Sequence, residues 1–234
     1  MGDGTGVRRR GPAGGGVDLV VPVKPLRRAK SRLVGAADGG AGDPVAHAAL
    51  VTGLALDTVA AARSASRVRR VLVVTSDPEL AATLRAEGVD VIPDTPAAGL
   101  NAALRHGAEV LGQRGDGRAG TVGALQADLP ALRPAELDAA VDAAAGRRAF
   151  CPDRHGTGTT LLLAARGEPL RPSFGPGSAA AHAASGAVML DGAWPSLRCD
   201  VDTAEDLAVA AELGLGPRST ALLGAACGAS RPAP

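Results

Sequence analysis

Two short acidic segments, Leu125-Gln126-Ala127-Asp128-Leu129-Pro130 and Arg198-Cys199-Asp200-Val201-Asp202, each place a carboxylate at the end of an apolar run. If the run is a buried strand, the carboxylate surfaces at the strand's carboxyl end, the edge where open α/β sheets bind ligands. Oxygen donors from two separate segments can hold Mg²⁺ over a phosphate, the ion taking its remaining ligands from water and the phosphate itself. The chemistry implied is metal-assisted reaction at a phosphate, with Asp128 and Asp200 as ligands. Either aspartate alone would also suit the N-cap of the helix that follows it. The pair favours the metal.

A first apolar run, Val17 to Val23, passes straight into Lys24-Pro25-Leu26-Arg27-Arg28-Ala29-Lys30-Ser31-Arg32-Leu33. Neither G-x-G-x-x-G nor a Walker G-x-x-x-x-G-K is present. In place of a glycine cradle this first βα turn offers five cations, enough to neutralise a triphosphate. A solvated basic loop is the plainer reading, but the position directly after the first buried strand favours phosphate binding. Further on, Gly99-Leu100-Asn101 opens a helix after a Pro-rich turn. Its free amides and the Asn101 side chain suit a base or ribose, or merely start the helix.

Gly156-Thr157-Gly158-Thr159-Thr160 and Phe174-Gly175-Pro176-Gly177-Ser178 form another constellation. The first has the composition of a hairpin turn. The second sets glycines and a hydroxyl ahead of a helix, where amides and Ser178 can meet an anion. With Thr159 nearby, the two would hold a small phosphorylated acid; a plain Ser N-cap competes.

Other combinations are weaker. Ser178 and His182 stand one helical turn apart, as ordinary neighbours do, and no G-x-S-x-G elbow supports hydrolysis. His47, His106, His155 and His182 lack metal-site spacing. Cys199 falls within an apolar run and reads as core, and Trp194 as a packing anchor.

The elements that must position these residues follow from periodicity. Strands are expected at 17–23, 70–75, 90–92, 121–127, 149–152, 159–165 and 188–190. Helices are expected at 44–65, 78–87, 100–111, 134–145, 178–185 and 204–213. This alternation predicts an α/β fold, a three-layer α/β/α sandwich around a mainly parallel sheet. The broken rhythm between 149 and 190 predicts a small β insertion beside that sheet. Residues 1–16, rich in Gly and Arg, are expected to be a disordered tail, 17–215 a single domain and 216–234 a flexible tail.

Composition narrows the function. Aromatic residues make up 1% of the 234, leaving almost no stacking platform for single-stranded nucleic acid. A net charge of +1 supplies no field for polyanions, so nucleic acid is not an expected partner. Cys151, Cys199 and Cys227 are odd in number and lack Cys-x-x-Cys spacing, which suits reduced thiols in a cytoplasmic protein. Neither an export signal nor a membrane span is expected, because the first apolar run is short and ends at Lys24.

The ordered motifs resemble the phosphoenolpyruvate/2-phospholactate guanylyltransferases of coenzyme F-420 biosynthesis, the CofC/FbiD type. The matching segments are Val21-Pro22-Val23-Lys24, Ala29 to Leu33, Gly99 to Ala103, Gln126 to Leu132, Asp153 to Thr159, Phe174 to Ser178 and Leu197 to Thr203. An Ala/Gly/Arg-rich composition looks actinobacterial, which within this family favours the phosphoenolpyruvate-using type. The resemblance implies a Rossmann-like nucleotidyltransferase fold. It also implies that GTP and phosphoenolpyruvate give enolpyruvyl-diphospho-5'-guanosine and pyrophosphate, a labile product handed to the next transferase.

Carried over by motif, Asp128 and Asp200 would coordinate Mg²⁺, and Lys24, Lys30 and Arg32 would hold the GTP phosphates. Gly99, Leu100 and Asn101 would lie against the nucleoside, and Thr159, Gly175 and Ser178 would bind the acceptor, with Thr160 competing for the place of Thr159. Catalysis would rest on Asp128, Asp200 and Lys24. Ala127 departs from the Gly expected before Asp128. The acceptor alternatives are 2-phospho-L-lactate and 3-phospho-D-glycerate. Asp200-Val201-Asp202 also has the Asp-x-Asp form of metal-dependent glycosyltransferases, and a non-catalytic guanine-nucleotide-binding module is a further alternative.

Overall fold

The structure, a computed structural model, describes residues 16–24, 31–38, 40–95, 97–113 and 120–229. Lys30, the loop around it and nearly all of the expected N-terminal tail lie outside these residues. Among the described residues the strands are β1 (Val17–Val23), β2 (Val68–Thr75), β3 (Asp90–Ile92), β4 (Thr121–Leu125), β5 (Ala149–Pro152), β6 (Thr159–Leu163) and β7 (Val188–Met189). They form one sheet in the order β3-β2-β1-β4-β6-β5-β7. β1 pairs in parallel with β2 and β4, β2 with β3, and β5 with β7, whereas β6 runs antiparallel to β4 and β5. The strands expected to stand beside the sheet therefore extend it, because β6 takes up the hydrogen-bonding edge that β4 would otherwise leave open.

Helices cover both faces: α1 (Pro44–Ser64), α2 (Pro78–Ala86), α3 (Leu100–Gln113), α4 (Pro134–Ala144), α5 (Ser178–Ala184), α6 (Pro195–Arg198), α7 (Ala204–Leu213) and α8 (Pro217–Ala229). The period-2 alternation of the strands decides which face each residue serves. Leu19, Val21, Val71 and Val73 pack with Val51 and Val59 of α1, Leu80 of α2 and Leu137 of α4. Val20, Leu72 and Val74 point the other way, to Ala103, Leu104 and Leu111 of α3 and Ala179 of α5. Helix α3 lies so close to the sheet that a Cβ on Gly107 would come within 2.5 Å of Val20 Cγ1.

Helix starts follow local chemistry. Asp43 and Asp77 accept amide hydrogens of the first turns of α1 and α2, with Pro44 and Pro78 next in the chain. Helix α7 begins with a reciprocal capping box between Thr203 and Asp206. Helix α1 is long and apolar enough to cross a membrane, but most of its apolar window is buried inside the fold.

Two expectations are corrected here. The run before Asp200 is not a strand: Pro195 opens the single turn α6, and Asp200 lies in the loop that follows. Residues 217–229 form α8, where composition predicts a loose tail. Asp57 of α1 accepts from the amides of Arg218 (3.2 Å) and Ser219 (2.8 Å) and from the Ser219 hydroxyl (2.7 Å). A carboxylate distant in sequence thus caps α8, and Gly216 N–H donates to the Pro130 carbonyl at 2.8 Å.

Candidate active site

β1 and β4 are parallel neighbours, so Lys24, just past the end of β1, and Asp128, three residues past β4, emerge at the same sheet edge. The Asp128 loop is held on three sides. Gln126 N–H donates to the Thr160 carbonyl at 2.9 Å, Leu129 N–H to the buried Thr58 hydroxyl at 3.0 Å, and Val201 N–H to the Asp128 carbonyl at 3.0 Å. That last bond carries the loop after α6 onto the end of β4. Lys24, Asp128, Asp200, Asp202, Gln126 and Leu100 then line one cleft of about 310 Å³, with Val23, Leu54 and Ala55 among its apolar walls.

Its electrostatics suit a cation. Asp200 is pushed up to about 7, first by burial and then by the carboxylates of Asp128, Asp202 and Asp153. Among the described residues no three His, Cys, Asp or Glu side chains converge as a ready-made metal cage. Two carboxylates on a partly open cleft nonetheless match a hard cation that draws its other ligands from water and a phosphate.

Asp206 holds the loop that carries Asp200 and Asp202. It accepts from the Asp202 and Thr203 amides at 3.2 and 2.9 Å and pairs with Arg154 at 2.6 Å. Asp153 shapes the Gly-rich turn, accepting from the Thr157 and Gly158 amides at 2.9 and 2.8 Å. A larger cleft of about 630 Å³ lies at the opposite strand ends, around Asp18, Arg69 and Gly120. There the Asp18 carboxylate is spent on a bidentate pair with Arg69, at 3.1 and 2.7 Å. The smaller cleft is the candidate site, since it gathers Lys24, Asp128 and Asp200.

Residues 49–191 match the MobA-like NTP transferase domain family. Over 211 residues the chain is 56% identical to the phosphoenolpyruvate guanylyltransferase of Salinispora arenicola, covering 89% of this chain and 94% of that protein. The chain belongs to the phosphoenolpyruvate guanylyltransferase family. It is a nucleotidyltransferase, as its ordered motifs indicate. A relative of the same name from Geodermatophilus obscurus is 55% identical over 215 residues, covering 92% of this chain and 95% of that protein. Among solved structures, a putative nucleotide-diphospho-sugar transferase from Desulfovibrio desulfuricans superposes with a TM-score of 0.65 at 16% identity, covering 92% of this chain and 96% of that one. That likeness concerns the fold.

The residues expected to bind an acceptor also come together. The β4–β6 register pairs Leu125 with Leu161, so Thr159 stands about level with Ala127, beside the Asp128 loop. Ser178 Oγ lies 3.2 Å from Thr159 Oγ1, whereas the Thr160 hydroxyl turns to the Cys151 carbonyl at 3.4 Å. Thr159, not Thr160, therefore joins Ser178. Gly175 has φ +140°, a conformation that favours glycine, and its carbonyl accepts from Ser178 N–H at 3.1 Å.

Two of the amides expected to cradle an anion here are engaged inside the protein, Ser178 N–H with the Gly175 carbonyl and Ala179 N–H with the Thr157 carbonyl, each at 3.1 Å. The Ser178–His182 pairing required of a triad is not formed, because both hydrogen-bond to Thr159 instead.

The other expected residues are more scattered. Leu100 lines the cleft, and Gly99, just before it, has φ +94°. Asn101 turns its carboxamide to Phe174, accepting from its amide at 2.8 Å and donating to its carbonyl at 2.9 Å. It ties the opening of α3 to the loop that precedes α5. Arg32, exposed on the single 3-10 turn Ser31–Leu33, does not line the cleft, and Lys30 lies outside the described residues. Burial pushes the Cys151 and Cys199 thiols up to about 11, which removes both as nucleophiles. Sequence reasoning missed Arg154, Asp206 and His182, whose roles depend on partners far along the chain.

Proposed function

We propose that this protein joins GTP to phosphoenolpyruvate, giving enolpyruvyl-diphospho-5'-guanosine and pyrophosphate. The observation that carries the reading is the single cleft shared by Lys24, Asp128 and Asp200 at the carboxyl edge of β1 and β4. The names of the relatives supply the acceptor. A phosphate oxygen of phosphoenolpyruvate attacks the α-phosphorus of GTP. As that P–O bond forms, the bond to the β-phosphate oxygen breaks, and pyrophosphate leaves with the electron pair.

Both reactants are anions, so catalysis consists of positioning and charge neutralisation, and no side-chain nucleophile is needed. Asp128 and Asp200 would hold Mg²⁺, which when bound screens the repulsion and stabilises the leaving pyrophosphate. Lys24 supplies fixed positive charge at the same edge. Gly99 and Leu100 flank the nucleoside. Thr159 and Ser178, with the turn at Gly175, grip the acceptor. The labile product passes to the next transferase of coenzyme F-420 biosynthesis, in the cytoplasm, where the buried thiols of Cys151 and Cys199 stay reduced.

The test supplies purified protein with GTP and Mg²⁺ and, separately, phosphoenolpyruvate, 2-phospho-L-lactate or 3-phospho-D-glycerate, with a product-consuming transferase present. Pyrophosphate release with phosphoenolpyruvate above the other two supports the reading. Release only with another acceptor, or equal release from ATP, overturns it.

A further inference from the structure

Three hydrogen bonds in series join the backbone to the proposed acceptor subsite. Ser173 N–H donates to His182 Nε2 at 3.0 Å, His182 Nδ1 stands 2.9 Å from Thr159 Oγ1, and Ser178 Oγ stands 3.2 Å from that same oxygen. The backbone end fixes the direction of the series. An amide can only donate, so Nε2 must be the bare nitrogen, and a neutral imidazole then carries its hydrogen on Nδ1. His182 therefore donates to Thr159. A doubly protonated ring would set N–H against N–H at Ser173. Burial, and after it the nearby Arg148 cation, holds the ring's pKa down to about 4.

The two hydroxyls bring two hydrogens, and the bond between them uses one. Whichever of the pair donates, one hydroxyl hydrogen remains, and no acceptor takes it among the described residues. Thr159 and Ser178 are 4% and 3% exposed, so this is a buried donor with nothing to bind, a costly arrangement unless a ligand completes it. The ring that imposes the direction is fully buried. It lies 5.8 Å from the Phe150 ring and 5.2 Å, edge-on, from the Phe174 ring, and Asn101 in turn clamps Phe174.

We propose that His182 is the positioning residue of the acceptor subsite, fixing the Thr159–Ser178 pair as a hydrogen-bond donor so that the subsite accepts a carboxylate or phosphate oxygen. The inference rests on the function proposed above and deepens it. His182 contributes direction and no charge, and it neither gives nor takes a proton during turnover. An acceptor presenting only an amide N–H where the oxyanion belongs would leave that buried hydroxyl hydrogen without a partner and be disfavoured.

The experiment measures KM for each substrate and kcat in the wild type, His182→Leu and His182→Asn. The Leu side chain fills space without donating. The Asn carboxamide can return an N–H close to the place of Nδ1. His182→Leu should raise KM for phosphoenolpyruvate about tenfold or more, with KM for GTP and kcat within about twofold, and His182→Asn should recover part of the loss. An unchanged KM for phosphoenolpyruvate, or equal rises for both substrates, overturns the proposal.

Nitrogen NMR of histidine-labelled wild type gives a readout independent of turnover, with His182 assigned by its absence in the variants. A neutral ring protonated at Nδ1 down to pH 5 is expected. Protonation at Nε2, or of both nitrogens, at neutral pH overturns the relay. If the wild type releases no pyrophosphate from GTP and phosphoenolpyruvate, the proposed function fails, while the NMR result still decides the relay.

Discussion

Val201 N–H donates to the carbonyl of Asp128 at 3.0 Å, a backbone bond that joins two segments far apart in sequence whose aspartates line one cleft. Asp128 is carried by the end of a strand and Asp200 by a loop, so neither element alone fixes their separation. The bond also explains the charge of the site. Asp200 is held half-buried near Asp128, Asp202 and Asp153, and burial together with these carboxylates pushes it up to about 7.

Neutralising either aspartate should separate catalysis from folding. Asp128→Asn and Asp200→Asn are each expected to lower pyrophosphate release by about 100-fold or more, the scale at which loss of one charge-stabilising group acts. In chelator, Asp200→Asn should melt no lower than the wild type, because it removes a like charge from a crowded set. Near-normal turnover in either variant, measured with a coupled pyrophosphate assay, would refute their assignment.

The Asp206–Arg154 pair should matter through the loop it holds. Asp206→Ala removes the Asp206 half of the α7 capping box and the acceptor for the Asp202 and Thr203 amides, and leaves the Arg154 guanidinium without its partner. A loss of about 2 kcal/mol is expected from cap and ion pair together. The Mg²⁺ concentration giving half-maximal rate should also rise several-fold, because Asp200 is no longer firmly placed. Denaturation and a Mg²⁺ titration would check the two effects, and a variant that shifts neither shows that the loop is held elsewhere.

Asn101 offers a choice between two readings. Its position at the opening of α3 suggests a nucleoside contact, yet its carboxamide is engaged with both polar groups of the Phe174 backbone. Asn101→Ala is therefore expected to raise KM for the acceptor about five- to tenfold, with KM for GTP almost unchanged. A selective rise in KM for GTP would restore the nucleoside role.

Most of the fold could be read from the sequence because its signals are local. Buried parallel strands appear as short Val/Leu runs such as Val17 to Val23, and Asp-Pro pairs at 43–44 and 77–78 mark helix starts. Asp128 and Lys24 were legible for the same reason, each following such a run. What remained hidden depends on distant partners. Helix α8 has the composition of a tail and is ordered by Asp57, more than 150 residues earlier. His182 looks like an ordinary helix residue until β6 brings Thr159 beside it. At Ser178 two of the amides expected to face an anion found carbonyl partners inside the protein, which no motif encodes.

The dependence of α8 on Asp57 can be measured directly. Asp57→Ala leaves Ser219 without its partner and removes the only cap contacts found for α8 among the described residues. A loss of about 1–3 kcal/mol is expected, together with faster proteolytic clipping after residue 216. Clipping at the wild-type rate would show that packing on α1 alone secures the helix.

Acid should weaken the protein through His182, and the sign follows from its surroundings. Folded, the ring titrates near 4, lowered by burial and by Arg148, whereas in the unfolded chain it titrates near its ordinary 6.5. Between these values the unfolded state binds more protons, so stability rises with pH across the window. The contribution is complete above about pH 6.5 and shrinks as the solution is acidified toward 4, by at most about 1.4 kcal/mol per pH unit for one proton. Arg148 keeps its charge throughout, and the Phe150 and Phe174 rings do not titrate, so the ring itself sets the slope. Guanidinium denaturation of the wild type and His182→Asn at intervals from pH 7 to 4.5 isolates this share. The wild type should lose stability faster than the variant as pH falls, and parallel curves would mean that His182 is not held neutral in the folded protein.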